Sequence, residues 1–192
     1  ESTFSIDTST DYGKEVRKVL WTDSMGIIDC WTAQDIALER AATAREAVRV
    51  MGDLVEQYGW STVGGGGETM TVADGEECWI AEFYGRDVWV AVRIPTDHFT
   101  VAANRARIME VDLNDTENVM ASPNIVSFAV EQVWYDPASG KPFNIAEIYA
   151  PNDSRYATRR EWRAFDLVAP SLGLSPHDVR FPLSVKPERL LT

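Results

Sequence analysis

The sequence predicts an α+β fold in which an antiparallel β-sheet is covered on both faces. A helical hydrophobic period fills residues 43–59, and short runs rich in β-branched and aromatic residues fill 69–101. The last of these runs, 87–94, is apolar at both of its alternating sets of positions, which is typical of a strand buried on two sides. A two-layer domain would not require such a strand, so we expect structure above and below the sheet.

The charge of the chain argues against nucleic acid as a partner, and its short apolar runs argue against a membrane span. Its 192 residues include 18 Lys and Arg against 30 Asp and Glu, which gives a formal net charge of -12 and a pI near 4.6. Nucleic-acid binding requires a basic stripe, and no apolar run approaches the roughly 20 residues of a membrane span. Because no repeat or linker divides the chain, we expect a single globular domain over 1–192, with no nucleic-acid or membrane partner.

Two helices are predicted before the sheet. The first begins near Thr32, and the second begins at Thr43, whose spacing from Glu46 is that of a capping box. Gly59 follows the last periodic residue, and glycine is the usual residue at a helix end. We expect the two helices to pack as a pair on one face of the sheet.

Three strands joined by short turns are predicted within 69–101. The runs are "TMTVAD", "EECWIAEFYG" and "DVWVAVRI", and short turns that contain glycine and acidic residues separate them. Connections this short favour an antiparallel meander. After Pro95 a fourth strand, "HFTVAA", is predicted to lead directly to Asn104.

Two further helices are predicted in the second half of the chain. The run "SPNIVSFAVEQVWYD" offers Ser122 as its N-cap and Pro123 in its first turn. The run "TRREWRAFDLVA" is stopped by Pro170. The remaining segment is rich in proline and shows no closing element. We therefore expect 1–192 to be the central segment of a larger domain, incomplete at both ends.

Several conspicuous residues have an ordinary structural explanation. The glycine run at 64–67 lacks the Lys-Ser/Thr of a phosphate-binding loop, so a flexible or crowded turn is favoured. Glu68, which follows it, is kept as a candidate substrate-binding residue. His98 and His177 have no partner at ligand spacing. We expect neither a metal nor a cofactor.

The segment "VAANRARI" is harder to explain structurally. An acidic chain places Asn104, Arg105 and Arg107 together where a strand is predicted to end. On an extended chain the two arginines point the same way, toward a substrate carboxylate or a structural carboxylate such as Asp112. Structural ion pairing is the favoured alternative, and substrate binding stays open for both arginines.

A series of segments resembles a known enzyme family. The series resembles the bacterial dipeptidases of the N-terminal-nucleophile class, a family related to the secernins. The similarity covers nearly the whole chain in the same order. The segments are "ESTF", "ALERAATAREAVRVMGDLVEQYG", "GETMTVAD", "WVAVRIP", "ANRARI", "NVMASPNIVSFAVEQVWYDP", "FNIAEIYAP", "RREWRAFDLVAPS" and "SVKPERLL".

This resemblance implies a fold and a mechanism. The implied fold is an αββα sandwich with mainly antiparallel sheets, and the implied nucleophile is a cysteine at a processed N-terminus, whose α-amine acts as the base. The chain departs from this pattern because it begins at Glu1, and Cys30 and Cys78 are internal. We therefore expect the nucleophile to lie upstream, so the rest of the polypeptide is a required partner. On this expectation the 192-residue chain alone is inactive.

The resemblance also implies roles for individual residues. Asn104 corresponds to an asparagine that donates its side-chain amide to the oxyanion in the wider class. Glu1 and Ser2 fall in a stretch that approaches a second oxyanion donor, and we expect them to contact a short peptide substrate. Two alternatives stay open: a non-enzymatic, secernin-like or scaffold protein, and an amidase that acts on acyl amides. Oligomeric state, including a homo-oligomer, and cellular compartment are also open.

Overall fold

A computed structural model describes residues 1–23, 25–62 and 66–189. Its α-helices and strands follow one another in a mixed α+β order, with three helices after the first strand and five strands after these helices. They are β1 (Ser2–Phe4), α1 (Asp11–Trp21), α2 (Cys30–Arg40), α3 (Ala44–Tyr58), β2 (Gly67–Ala73), β3 (Cys78–Gly85), β4 (Val88–Ile94), β5 (Phe99–Thr100), β6 (Val119–Ala121), α4 (Ile125–Glu131), α5 (Ile145–Tyr149), α6 (Arg155–Val168) and β7 (Ser184–Val185).

The main sheet has five strands in the order β1-β2-β3-β4-β6, and every neighbouring pair is antiparallel. The predicted meander over 69–101 is therefore confirmed as β2, β3 and β4. A second, two-stranded antiparallel sheet joins β5 to β7. The predicted α+β class with mainly antiparallel sheets is confirmed and is consistent with an α+β sandwich.

Both faces of the main sheet are covered. On one face the predicted helix pair, α2 and α3, packs against Trp79, Phe83 and Trp89. On the other face α1, α4 and α5 pack against the alternate side chains of β4, which include Val88 and Val90. The prediction that β4 is buried on two sides is thus confirmed, and the hydrophobic area removed from water on both faces stabilises the sheet.

The start and close packing of α3 follow from its sequence. The Thr43 hydroxyl accepts the N–H of Glu46 at 3.1 Å, while the Glu46 carboxylate reaches back to the N–H of Ala42 rather than to that of Thr43. A Cβ at Gly52 would lie 2.2 Å from the Trp89 ring, so this glycine lets the helix approach the sheet closely. The helix before it, α2, begins at Cys30, two residues earlier than predicted, because Asp29 caps it by accepting the N–H of Thr32.

Two predicted elements are shorter than expected. The strand "HFTVAA" is limited to Phe99–Thr100, because the chain then leaves the sheet and bends at Asn104. The helix expected to begin at Ser122 begins at Ile125. The Ser122 hydroxyl is engaged with the backbone of Trp89, where β6 ends, and cannot act as the N-cap.

Two helices were not predicted, and a third begins earlier than expected. The missed helices are α1, capped by the Thr10 hydroxyl, and the short α5, capped by Asn144. Helix α6 begins at Arg155 rather than near residue 158 and ends before Pro170, as predicted. Within the described residues no helix combines the length and apolar character that would let it cross a membrane.

Candidate active site around Asn104

The start of the chain and the segment 104–108 meet at one edge of the main sheet. Strand β1 is the edge strand, and its Thr3 lies opposite Glu68 of β2. The backbone N–H of Asn104 donates to the Ser2 hydroxyl at 3.0 Å, and Asn104 Nδ2 donates to the Thr3 carbonyl at 2.7 Å. Residues about a hundred positions apart in sequence therefore form one site.

Asn104 occupies an unusual backbone conformation. Its φ of 61° lies in the left-handed region, which asparagine tolerates better than most residues. Its side-chain oxygen accepts from Arg160 Nη2 at 2.9 Å, and Thr3 is the one acceptor that the described residues give to Nδ2. An amide nitrogen carries two hydrogens. The second N–H is therefore available to a ligand.

A surface depression of about 310 Å³ lies beside this amide. Asn104, Thr3, Asn152 and Tyr156 are among the residues that line it. Asn104 itself is half-buried, so a ligand in the depression can reach its side chain. The arrangement presents a fixed, neutral hydrogen-bond donor at a place open to solvent.

Arg105 and Arg107 lie behind Asn104, in the protein interior. Arg105 Nε lies 2.9 Å from both carboxylate oxygens of Glu161, and Arg107 Nε lies 3.4 Å from one of them. All three side chains are buried. The two arginines do point the same way, and the carboxylate that they share is Glu161 of α6 rather than Asp112, the example that the sequence offered. Asp112 lies on a turn, where its carboxylate accepts from Asn114.

Other guanidinium N–H groups of both arginines donate hydrogen bonds to backbone carbonyls. Arg105 Nη1 donates to the Val179 carbonyl at 2.6 Å. Arg107 donates to the carbonyls of Val101 and Pro182. Burial lowers the pKa of the Arg107 guanidinium, and the Glu161 carboxylate acts in the opposite direction. A role of either arginine in substrate binding stays a prediction, whereas their structural role is visible in these contacts.

A second buried carboxylate, Glu82 of β3, binds the backbone of segment 105–108 to the main sheet. It accepts the backbone N–H groups of Arg107 and Ile108 and the hydroxyl of Tyr84, the last at 2.6 Å. Burial raises the pKa of Glu82, while the hydrogen bonds that it accepts lower that pKa. Residues 105–108, which lack a strand partner, thus obtain hydrogen bonds from a side chain instead.

Glu68 and Glu1 place negative charge beside Thr3. The Thr3 hydroxyl donates to Glu68 Oε1 at 2.6 Å, and Glu68 Oε2 is buried with no partner among the described residues. Burial raises the pKa of Glu68, and Glu1 adds to this rise. Glu1 accepts from the side chain of Gln34. The structure therefore gathers Glu1, Ser2, Glu68 and Asn104 around β1.

Neither cysteine has the environment of an activated thiol. Burial, with Glu68 and Glu1 as further causes, raises the pKa of Cys30 to about 11. Burial also raises the pKa of Cys78. His98 pairs with the Ser184 hydroxyl at 2.9 Å, and His177 is exposed. The part of the chain that the structure describes contains no group of three acidic, histidine or cysteine side chains able to hold a metal ion.

The glycine run lies partly outside the described residues, which exclude Gly64 and Gly65. A Cβ at Gly66 would lie 2.3 Å from the Phe4 carbonyl, and one at Gly67 would lie 2.4 Å from the Phe4 ring. These two glycines therefore let β1 approach closely, as the crowded-turn interpretation requires.

Three residues that support the site were not identified from the sequence. They are Glu82, Glu161 and Arg160. A signal existed for the first two: Glu82 interrupts an apolar strand, and Glu161 stands on the same helical stripe as Phe165 and Val168. A charge at such a position indicates a buried partner. Arg160 carries no comparable signal, since it lies on an exposed part of α6.

Comparison with known proteins gives the family of this chain. The model of Peptidase family C69 matches residues 14–192. The chain therefore belongs to this peptidase family, and the resemblance to dipeptidases seen in the sequence is confirmed.

Individual relatives agree with the family. The chain is 36% identical over 159 residues to a probable dipeptidase of Salmonella dublin, covering 80% of this chain and 35% of that protein. It is 31% identical over 195 residues to a probable dipeptidase of Latilactobacillus sakei, covering 100% of this chain and 38% of that protein. It is 28% identical over 153 residues to dipeptidase A of Lactobacillus helveticus, covering 78% of this chain and 31% of that protein. The chain thus spans about a third of the length of these relatives.

Proposed function

We propose that the protein carrying this chain is a cysteine-type dipeptidase of the N-terminal-nucleophile class. The observation that carries the proposal is Asn104, whose amide is held by Thr3 and Arg160 while one N–H stays available at the depression. Membership of Peptidase family C69 and the dipeptidase names of its relatives support the substrate class.

The proposed chemistry is acyl transfer to a thiolate. The α-amine of the nucleophile takes the thiol proton, and the sulfur attacks the scissile carbonyl carbon, whose oxygen becomes an oxyanion. Collapse of this intermediate breaks the C–N bond, and the leaving amine takes the proton from the α-ammonium, which leaves a thioester. Water then gives a proton to the α-amine and attacks the thioester carbonyl. The C–S bond breaks, so the acid is released and the thiol is restored. Asn104 contributes by donating its free N–H to the oxyanion during both thioester formation and thioester hydrolysis. A preorganised donor of this kind lowers the activation free energy by roughly 3 to 4 kcal/mol.

The thiolate in this proposal is neither Cys30 nor Cys78. A thiol whose pKa is raised to about 11, as in Cys30, is almost wholly protonated at neutral pH, and the pKa of Cys78 is raised as well. The nucleophile is therefore proposed to come from sequence outside these 192 residues. The length of the related dipeptidases leaves room for such a segment.

The decisive experiment measures turnover by the complete protein on two substrates. One is an unblocked dipeptide, and the other is an acyl amide of the same side chain. We expect turnover of the dipeptide that a thiol-directed reagent abolishes, and we expect Cys30→Ala and Cys78→Ala to retain it.

Each other outcome contradicts a different part of the proposal. Preference for the acyl amide would indicate an amidase. No turnover of either substrate would favour a non-enzymatic protein. Loss of activity in Cys30→Ala or Cys78→Ala, with folding intact, would place the nucleophile inside this chain.

A further inference from the structure

We propose that Arg160 is a positioning residue for the oxyanion donor: it fixes which end of the Asn104 amide faces the substrate. This inference rests on the proposed function, in which Asn104 donates to the oxyanion. It is carried by the contacts of the Arg160 guanidinium, which joins α6 to the bend at Asn104.

The guanidinium of Arg160 is held at several points although the residue is exposed. Its Nη2 lies 2.9 Å from the Ala103 carbonyl and 2.9 Å from Asn104 Oδ1. Its Nε donates to the Tyr156 carbonyl at 2.8 Å, and its central carbon lies 3.9 Å from the centre of the Tyr156 ring. A side chain fixed in this way can impose an orientation on its neighbour, because little freedom remains in the guanidinium itself.

The need for orientation follows from the shape of an amide. The oxygen and nitrogen of asparagine are nearly equal in size, so a half-turn of the side chain would present an acceptor where the oxyanion forms. A guanidinium can only donate and the Thr3 carbonyl can only accept. Placed on opposite ends of the Asn104 amide, these two groups allow one orientation, in which Nδ2 is the donor.

The charge of Arg160 adds to this effect. Arg163 of α6 pairs with Asp166, and Arg105, which packs against α6, pairs with Glu161. Within the described ranges Arg160 forms no ion pair. A charge-assisted bond to Oδ1 polarises the amide and strengthens its N–H as a donor.

The test is a double-mutant cycle in the complete protein with a dipeptide substrate. We expect Arg160→Ala to lower kcat by about 10- to 100-fold, as for loss of a bond to a charged group, with KM little changed. Arg160→Lys should recover part of the loss, because it restores a charged donor. In an Asn104→Ala background, Arg160→Ala should have almost no further effect on kcat, since the amide to be oriented is absent.

The matched control is Arg159→Ala, which removes the adjacent exposed arginine of the same helix and should leave kcat unchanged. Melting temperatures of all variants separate positioning from folding, and Arg160→Lys keeps the test valid where Arg160→Ala unfolds. Additive losses in the double variant, or a normal kcat in Arg160→Ala, would overturn the positioning role while leaving the dipeptidase proposal standing. An inactive wild-type protein would overturn both.

Discussion

Asn104 and Arg107 lie three residues apart, yet they occupy opposite environments. Asn104 is half-buried beside a surface depression and keeps one N–H available, whereas Arg107 is fully enclosed and bonded to Glu161 and to backbone carbonyls. The difference shows that one short segment serves two purposes. Its first residue lines the surface depression, and the residues after it anchor that position to the interior.

The carboxylates near the segment show the same division. Glu82 and Glu161 are both buried and engaged by donors on the anchoring side. Glu68, beside β1, accepts one hydroxyl and retains a buried oxygen without a partner in the described part of the chain. Both oxygens of Glu82 and of Glu161 thus accept hydrogen bonds, whereas one oxygen of Glu68 has no partner among the described residues.

The largest effect on stability should come from Glu161→Ala. Removal of this carboxylate leaves Arg105 and Arg107 buried without a counter-charge, which costs about 3 to 5 kcal/mol in the free energy of unfolding. Denaturant unfolding of the complete protein measures this loss. The control is Asp166→Ala, which breaks an exposed pair on the same helix and should cost no more than about 1 kcal/mol. Equal losses in the two variants would contradict the anchoring role.

A smaller loss should follow from Tyr84→Phe. This change removes the hydroxyl that donates to the buried Glu82 carboxylate and should cost about 1.5 to 3 kcal/mol, with kcat little affected. The control, Tyr135→Phe, removes an exposed hydroxyl that donates to the Lys141 carbonyl. Thermal unfolding should show a clear decrease for the first variant and almost none for the second. A large fall in kcat for Tyr84→Phe at unchanged stability would contradict the purely structural role of the hydrogen bond between Tyr84 and Glu82.

The smallest effect should be a pH dependence at Glu68. Its pKa is raised by burial, so the folded protein holds a proton that the unfolded chain releases, and stability falls as pH rises from the ordinary value of 4.5 to the raised one. Glu68→Gln removes this pH dependence of stability. As pH rises from 4.5 to the raised pKa of Glu68, the variant should therefore gain stability relative to wild type.

Asp74 provides a control of opposite sign for this measurement. Hydrogen bonds from Ala44, Glu77 and Glu76 lower its pKa, so its contribution is present above the ordinary value of 3.8 and is lost as pH falls. Asp74→Asn should therefore be less stable than wild type at neutral pH, with a difference that shrinks in acid. If the stability difference from wild type changed with pH in the same direction for both variants, the raised pKa of Glu68 would be contradicted.

The sequence predicted the elements whose signal is local. The capping residue of α3, the meander and the doubly buried β4 all depend on periodicity or on spacings of a few residues, and each is confirmed. The bend at Asn104 was missed as such because the run "HFTVAA" has strand composition, yet only Phe99–Thr100 finds a partner strand. Composition describes what a segment can form, whereas pairing decides what it does form.

The resemblance implied a candidate site that includes Asn104 and Ser2, and the role of that site stays a prediction; the contacts around it were not predicted. The placement of Asn104 near Ser2 agrees with the grouping that resemblance implied. The sequence favoured a structural ion pair for the two arginines and offered Asp112 as an example, but it did not identify Glu161, which lies more than fifty residues away in sequence. Arg160 could not be found at all, since an exposed arginine on a helix is ordinary until its neighbour is known.

The most direct test of this account compares kcat and melting temperature for three changes at Asn104. We expect Asn104→Ala to lower kcat by roughly 10²- to 10³-fold with KM little changed, because the bond matters once charge has developed. Asn104→Asp should be at least as harmful, since it places a negative acceptor where a donor is needed. Asn104→Gly is the matched control for the backbone: a φ of 61° suits glycine, so it should lose kcat like Ala while relieving strain. A normal kcat in Asn104→Ala, together with a melting temperature lowered by the loss of about 1 kcal/mol, would show a turn residue and contradict the account.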